Sequence, residues 1–167
     1  MKWILPLVML AALGGCGLQP LYSNGERGAV GQALRSIELA PIDGKAGWLM
    51  RQALLDRLGT GGDARYRLVI ELDDKISGFG VRADDAITRE RRTLRARYQL
   101  IDTASGKSLL DASAGTDAGI DVVSSEYATV AAENSALERL SQTIADQIVA
   151  RVAVFVQNGG AASPTTK

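Results

Sequence analysis

The sequence predicts an α+β fold: a two-layer sandwich in which a four-stranded mixed sheet carries two helices packed on one face, in the order β-α-β-β-β-α. Three observations predict it. Apolar and polar residues alternate along three successive stretches between residues 66 and 120, the pattern of strands with one wet side. Apolar residues recur every three or four positions along residues 45–58 and 125–157, the period of a helix. Turn residues punctuate the gaps. A sheet with one apolar face and two amphipathic helices closes into two layers around one core.

From the start, Met1 and Lys2 make a short positive region, and residues 3–13 are apolar apart from Pro6. That run is shorter than the roughly 20 residues a spanning helix needs, so residues 1–15 read as an export signal. Leu13-Gly14-Gly15-Cys16 follows, which is similar to the lipobox of bacterial lipoproteins. Cys16 is the only cysteine, so it has no disulfide partner within the chain. Acylation of Cys16 gives it a role, and several acyl chains on one residue anchor durably where one would not. Gly17 stands where an aspartate would retain an enteric lipoprotein in the inner membrane, which favours the outer membrane and a periplasm-facing domain. Residues 16–34 read as a lipidated tether.

The folded domain is expected over residues 35–157. Arg35, Ile37 and Leu39 alternate with Ser36 and Glu38 in a short strand ended by Pro41. Asp43-Gly44 makes a turn. Residues 45–58 form a helix with Met50, Ala53, Leu54 and Leu58 on one stripe, widened by Leu49 and Leu55 and stopped by Gly59. Trp48 is expected at the sheet edge. Next comes a strand with Tyr66, Leu68, Ile70, Leu72 and Ile76 inward and Arg67, Glu71, Asp73 and Lys75 outward. A loop is expected from Gly78 to Ile87, with Gly78-Phe79-Gly80 read as a bulge or loop with special backbone angles. In the following strand Leu94, Ala96, Tyr98 and Leu100 point inward. A turn at Ala104-Ser105-Gly106 leads to Leu110, Ala112, Ala114, Ala118 and Ile120 on the inner face of the last strand. Short connections make these three strands a meander.

The second helix spans residues 125–157. Leu137, Leu140, Ile144, Ile148, Val152 and Phe155 form its stripe, Ser124 or Ser125 caps it, and Glu126 complements its positive end. At 1.5 Å per residue it is roughly 45–50 Å long, which exceeds an ordinary strand and implies an overhang or a bend. Residues 158–167 read as a disordered tail.

Composition narrows the function. Lys plus Arg equals Asp plus Glu at 19 each, so a general nucleic-acid-binding role is not expected. There is no histidine, which removes the commonest general base and metal ligand. The sequence offers no metal-ligand spacing, no phosphate loop and no serine nucleophile elbow, so no catalytic residue, metal or cofactor is assigned. Asp73-Asp74 and Asp84-Asp85 read as solvated charges.

One stretch stands out. Thr88-Arg-Glu-Arg-Arg-Thr-Leu-Arg-Ala-Arg97 holds five arginines, and strand parity puts Arg89, Arg91, Arg95 and Arg97 on one face. A guanidinium is a permanently charged, forked donor suited to phosphate. Arg89, Arg91, Arg92 and Arg95 are candidate contacts for a phosphorylated lipid, with Arg89, Arg91 and Arg92, nearer the loop, the better ones. Cross-strand ion pairs to Glu71 and Asp73 are the competing role, chiefly for the inner arginines, at about 0.2–1 kcal/mol each.

Cys16-Gly17-Leu18-Gln19-Pro20-Leu21-Tyr22 after the lipobox, and Ser124-Ser125-Glu126-Tyr127-Ala128-Thr129 running through Ala132-Glu133-Asn134-Ser135-Ala136 to Leu140, resemble the lipopolysaccharide-assembly lipoprotein family LptE in its alphaproteobacterial form. The resemblance implies a non-enzymatic outer-membrane lipoprotein. It would plug a large β-barrel partner, LptD, and help deliver lipopolysaccharide to the outer leaflet. The arginine row would then face lipid A phosphates. A lipoprotein that activates a periplasmic enzyme, or an auxiliary subunit of a lipid-transport complex, is the alternative function.

Overall fold

A computed structural model describes residues 28–59, 63–81 and 87–158. The expected signal peptide, Cys16 and the rest of the expected tether to residue 27, and the expected tail from residue 159, lie outside the described residues. So does the centre of the expected loop, residues 82–86.

The described elements are α1 (Ala29–Arg35), β1 (Ile37–Leu39), α2 (Gly44–Leu58), β2 (Tyr66–Val81), β3 (Ile87–Asp102), β4 (Ser108–Asp121) and α3 (Glu126–Gln157). The sheet order is β1-β2-β3-β4, with β1 parallel to β2 and the other pairs antiparallel. This is the expected α+β sandwich, with a mixed four-stranded sheet and one helix more than the sequence suggested.

Parity and periodicity determine what is buried. Leu68 and Ile70 of β2, and Leu94, Ala96, Tyr98 and Leu100 of β3, point inward and are buried. They meet the α2 stripe of Met50, Ala53, Leu54 and Leu58 and the α3 stripe of Leu137, Leu140, Ile144, Ile148, Val152 and Phe155 in one core cluster. Each fully buried Leu or Ile contributes about 1.5–3 kcal/mol. The exposed α2–α3 ion pair of Arg57 with Asp146 is worth at most about 1 kcal/mol, so apolar burial holds the helix layer. Gly47 lets α2 approach its own entry segment: a Cβ there would lie 2.5 Å from the Ile42 carbonyl oxygen. At α3 the cap is Ser125, whose hydroxyl accepts the Ala128 amide at 3.4 Å.

Four expectations are corrected. The tether does not run to residue 34, because α1 occupies Ala29–Arg35 and buries Leu34 in the core with Val30 packed against it. This i, i+4 pair is a helical signal too short to stand out beside Gly31. The strand expected from Arg35 therefore starts at Ile37. The loop from Gly78 is shorter than expected, because β2 and β3 stay paired out to Val81 and Ile87. Gly80 takes φ +79° inside β2, a conformation glycine allows at little cost. Trp48 is not at the sheet edge. It is 60% exposed on α2, off the buried stripe, beside Glu138 and Gln142 of α3.

The length of α3 is matched by the sheet. β2 and β3 have 16 residues each, about 53 Å at 3.3 Å per residue, against about 48 Å for the 32 residues of α3. The sandwich is thus elongated, with two poles. At the base, β1 lies beside the start of β2, where Ile37 opposes Tyr66, and α1 packs on α3. At the tip, Val81 opposes Ile87, and β4 ends with Asp121 opposite Arg89. Ile76 and Phe79 near the tip, and Val123, Tyr127 and Val130 around the start of α3, are exposed.

Candidate functional site

The face of the sheet away from the helices carries no covering layer among the described residues. Alternation along three long strands places Arg67, Lys75, Arg89, Arg91, Arg95 and Arg97 on it. Glu38, Glu71, Asp73, Asp111, Asp117 and Asp121 share the same face. It is therefore charge-balanced, not a basic patch.

The arginine row is neutralised mainly from β4. Arg89 pairs with Asp121 at 3.2 Å, Arg91 with Asp117 at 3.6 Å, and Arg97 with Asp111 at 3.0 Å. Glu71 and Asp73 do lie opposite Arg97 and Arg95 in register, as parity required, but they do not take these arginines. Asp73 pairs instead with Lys75 at 2.8 Å. On β4, Asp121 lies directly opposite Arg89, whereas Asp117 and Asp111 reach Arg91 and Arg97 diagonally, past Gly119 and Ser113. The aspartates of β4 were visible in the sequence as the polar half of its alternation, and their spacing was the missed signal. Hydrogen bonds from Arg97, then Gln99, hold the Asp111 carboxyl below the usual carboxylate range. The same bond raises Arg97. Above Arg91, the Phe79 ring centroid stands 5.4 Å from the guanidinium carbon, cation–π range.

Arg95 is the member of the row without an ion-pair partner among the described residues. It is exposed and lies in a shallow basin of roughly 620 Å³ with Thr93, Glu71, Asp73, Ser113 and Asp117 on its walls. Gly115 makes room for it, since a Cβ there would stand 3.3 Å from Arg95 Cγ.

Arg92 belongs elsewhere. Even numbering puts it on the helix side of β3, opposite Ile76 and Ala118. Its Nε donates to Asp74 at 2.8 Å and its Nη1 to the Glu133 carbonyl of α3 at 3.0 Å. Its side chain is only 11% exposed, and the hydrogen bond to Asp74 holds its pKa up against the burial that lowers it. Arg92 ties β2, β3 and the first half of α3 together and is separated by the sheet from Arg89, Arg91 and Arg95. Glu90, on the same inner face, has a buried Oε2 with no hydrogen-bond partner among the described residues.

Among the described residues no group of His, Cys, Asp or Glu is arranged to hold a metal ion, and no helix is long and apolar enough to cross a membrane. The acids and arginines of the open face offer anion contacts and ion pairing.

This architecture has known counterparts. A crystal structure described as a lipoprotein from Caulobacter crescentus CB15 superposes with a TM-score of 0.67 at 26% identity, covering 81% of this chain and 100% of that one. The rare lipoprotein B from Shewanella oneidensis gives 0.58 at 11% identity, covering 73% and 95%. Lipoprotein B from Nitrosomonas europaea gives 0.56 at 15% identity, covering 74% and 83%. The last two are alike in fold alone. No protein with a curated description is significantly similar in sequence. The family model LptE, described as lipopolysaccharide-assembly, matches residues 34–152. That match runs from the end of α1 to the last turns of α3, so the chain belongs to the LptE family of lipopolysaccharide-assembly proteins.

Proposed function

We propose that this chain is a lipoprotein of the outer membrane that plugs an LptD-like β-barrel and assists placement of lipopolysaccharide in the outer leaflet without catalysing a reaction. The observation that carries the reading is the family match across nearly the whole packed domain. The geometry is compatible with it. A barrel lumen is polar, and the open sheet face is polar and charge-balanced. The strands, about 53 Å long by their residue count, are of the order of the roughly 40–45 Å of a bilayer with its headgroups.

In this reading Cys16 carries the lipid. Twelve peptide steps lead from it to Gly28, a reach of at most about 43 Å, so the base stays close to the membrane that holds the acyl chains. On the open face Arg95 is the foremost candidate for a lipid A phosphate, because a ligand need not displace an aspartate to reach it. Arg91 and Arg89 would have to exchange Asp117 and Asp121 for the ligand. Arg92 drops out of the ligand set, being committed to Asp74 and Glu133.

Depletion tests the function. Surface lipopolysaccharide should fall while the inner-membrane pool persists, and affinity purification of the tagged protein in mild detergent should bring down a large barrel. An intact surface layer after full depletion refutes the reading. A cell-wall synthase recovered in place of the barrel would refute the plug role.

A further inference from the structure

The charged face is not the only unfinished surface. β4 is the last strand of the sheet, and among the described residues nothing pairs with its outer edge over Ser108–Asp121. Long edge strands are usually blunted by lysine, proline or bulges. β4 has no lysine, arginine or proline, and its one irregularity against β3 is near the base, at Leu100 and Ile101.

Beside that edge lies a groove of roughly 400 Å³. Its walls include Ala112 and Ala114 from the inner row of β4, Asp111 and Ser113 from the outer row, and Val154 and Phe155 from α3. Residues from both faces of one strand line it, so the groove runs along the free edge itself. The inner row of β4 is mostly small there, and its alanines are only partly covered. Arg151 stands on the groove wall, exposed and with no ion pair among the described residues.

We propose that the β4 edge and the C-terminal half of α3 form a strand-accepting groove, which binds an extended segment of a partner protein as a fifth strand. Main-chain hydrogen bonds to β4 would hold the segment. Alternate apolar side chains would enter the groove over Ala112 and Ala114, and a carboxylate would meet Arg151. This is the strand-addition mode of peptide recognition. A second copy of this chain is the poorer occupant. Over residues 112–119 β4 itself is mainly alanine and glycine, side chains too small to fill the groove of a second copy. The proposal does not depend on the barrel-plug reading, since any partner with such a segment would satisfy it.

The test uses the full chain, isotope-labelled for NMR, and a synthetic heptapeptide of alternating valine and threonine with one glutamate. Binding should shift amides of residues 110–116 and of Val154 and Phe155, and slow hydrogen exchange along β4 at least tenfold at saturation. The same peptide N-methylated at alternate residues loses half its donors and should bind at least tenfold more weakly. Ala112→Trp should fill the groove and abolish the shifts, with the remaining amide spectrum showing that the variant is folded. Three results overturn the proposal: no shift along β4, equal binding of the N-methylated peptide, or β4 protection that rises with protein concentration alone because the chain self-associates.

Discussion

Removing the Arg92 side chain separates a structural arginine from a ligand-binding one. Arg92 and Asp74 are 11% and 23% exposed at their side chains, and Arg92 also bonds the Glu133 carbonyl. Hydrogen bonds to charged groups contribute about 1.5–3 kcal/mol, and breaking a fully buried ion pair costs about 3–5 kcal/mol. The pair is mostly but not wholly buried, so Arg92→Ala should cost about 2–3 kcal/mol. Asp74→Ala should cost less, because Arg92 keeps the Glu133 carbonyl. The double variant should cost less than the sum of the two, with a coupling of about 1–2 kcal/mol. Urea denaturation followed by circular dichroism measures all four corners of the cycle. For a domain of this size Arg92→Ala should lower Tm by roughly 8–12 °C. Lipopolysaccharide binding per folded molecule should be unchanged in Arg92→Ala and reduced in Arg95→Ala, whose stability should stay within about 0.5 kcal/mol of the parent. A loss below about 0.5 kcal/mol for Arg92→Ala, or strict additivity of the double variant, refutes the assignment of Arg92 to the interior.

Three further outcomes follow from single contacts. Gly47→Ala should destabilise by about 1–3 kcal/mol despite alanine's better helix propensity, because the new methyl meets the Ile42 carbonyl; a gain in urea midpoint would contradict that close approach. Ser141→Ala should be neutral or stabilise by up to about 1 kcal/mol, since the Ser141 hydroxyl is 1% exposed and lacks a partner among the described residues; a loss above about 1 kcal/mol would reveal a bond to it. Hydrogen bonds from Arg57 and Arg97 lower the folded pKa of Asp146 and Asp111 respectively. The unfolded chain therefore takes up protons first, so this stability is present above about pH 4 and is lost as pH falls through the folded values. Asp146→Asn and Asp111→Asn together should flatten the acid limb of a midpoint-versus-pH curve, and an unaltered limb would rule these carboxylates out as its source.

The sandwich was legible because its signal is local and repeated. In β3, Leu94, Ala96, Tyr98 and Leu100 alternate with polar residues without a break, and all four are buried. In α3 the stripe from Leu137 to Phe155 persists over five turns, too long to arise from a strand. Where the sequence misled, the local signal was weak or competed with another. Val30 and Leu34 define one helical turn beside a glycine, and only their burial against the core makes it worth forming. Gly78 and Gly80 carry the composition of a loop, yet the ladder to β3 continues through them. The helix that looked too long was a clue to strand length: a strand's reach depends on its neighbour's pairing, and no residue of the strand encodes that alone.

The arginine row shows a different boundary. Strand parity located Arg89, Arg91 and Arg95 on one face and Arg92 on the other, and that much follows from a period of two. Which acid each arginine takes depends on the lateral neighbours, hence on strand order and on the room they leave. Glu71 and Asp73 lie directly across β2 from Arg97 and Arg95, yet it is Asp111, Asp117 and Asp121 on the other neighbour, β4, that take Arg97, Arg91 and Arg89. The consequence is functional as well as structural. A cation already held by a carboxylate offers a phosphate only the difference between two ion pairs, whereas Arg95 offers the whole interaction. The sequence puts Arg89, Arg91 and Arg92 first as ligand contacts for their nearness to the loop; the fold reverses that order, and binding should follow the fold: Arg95 first, Arg91 and Arg89 weakly, Arg92 not at all.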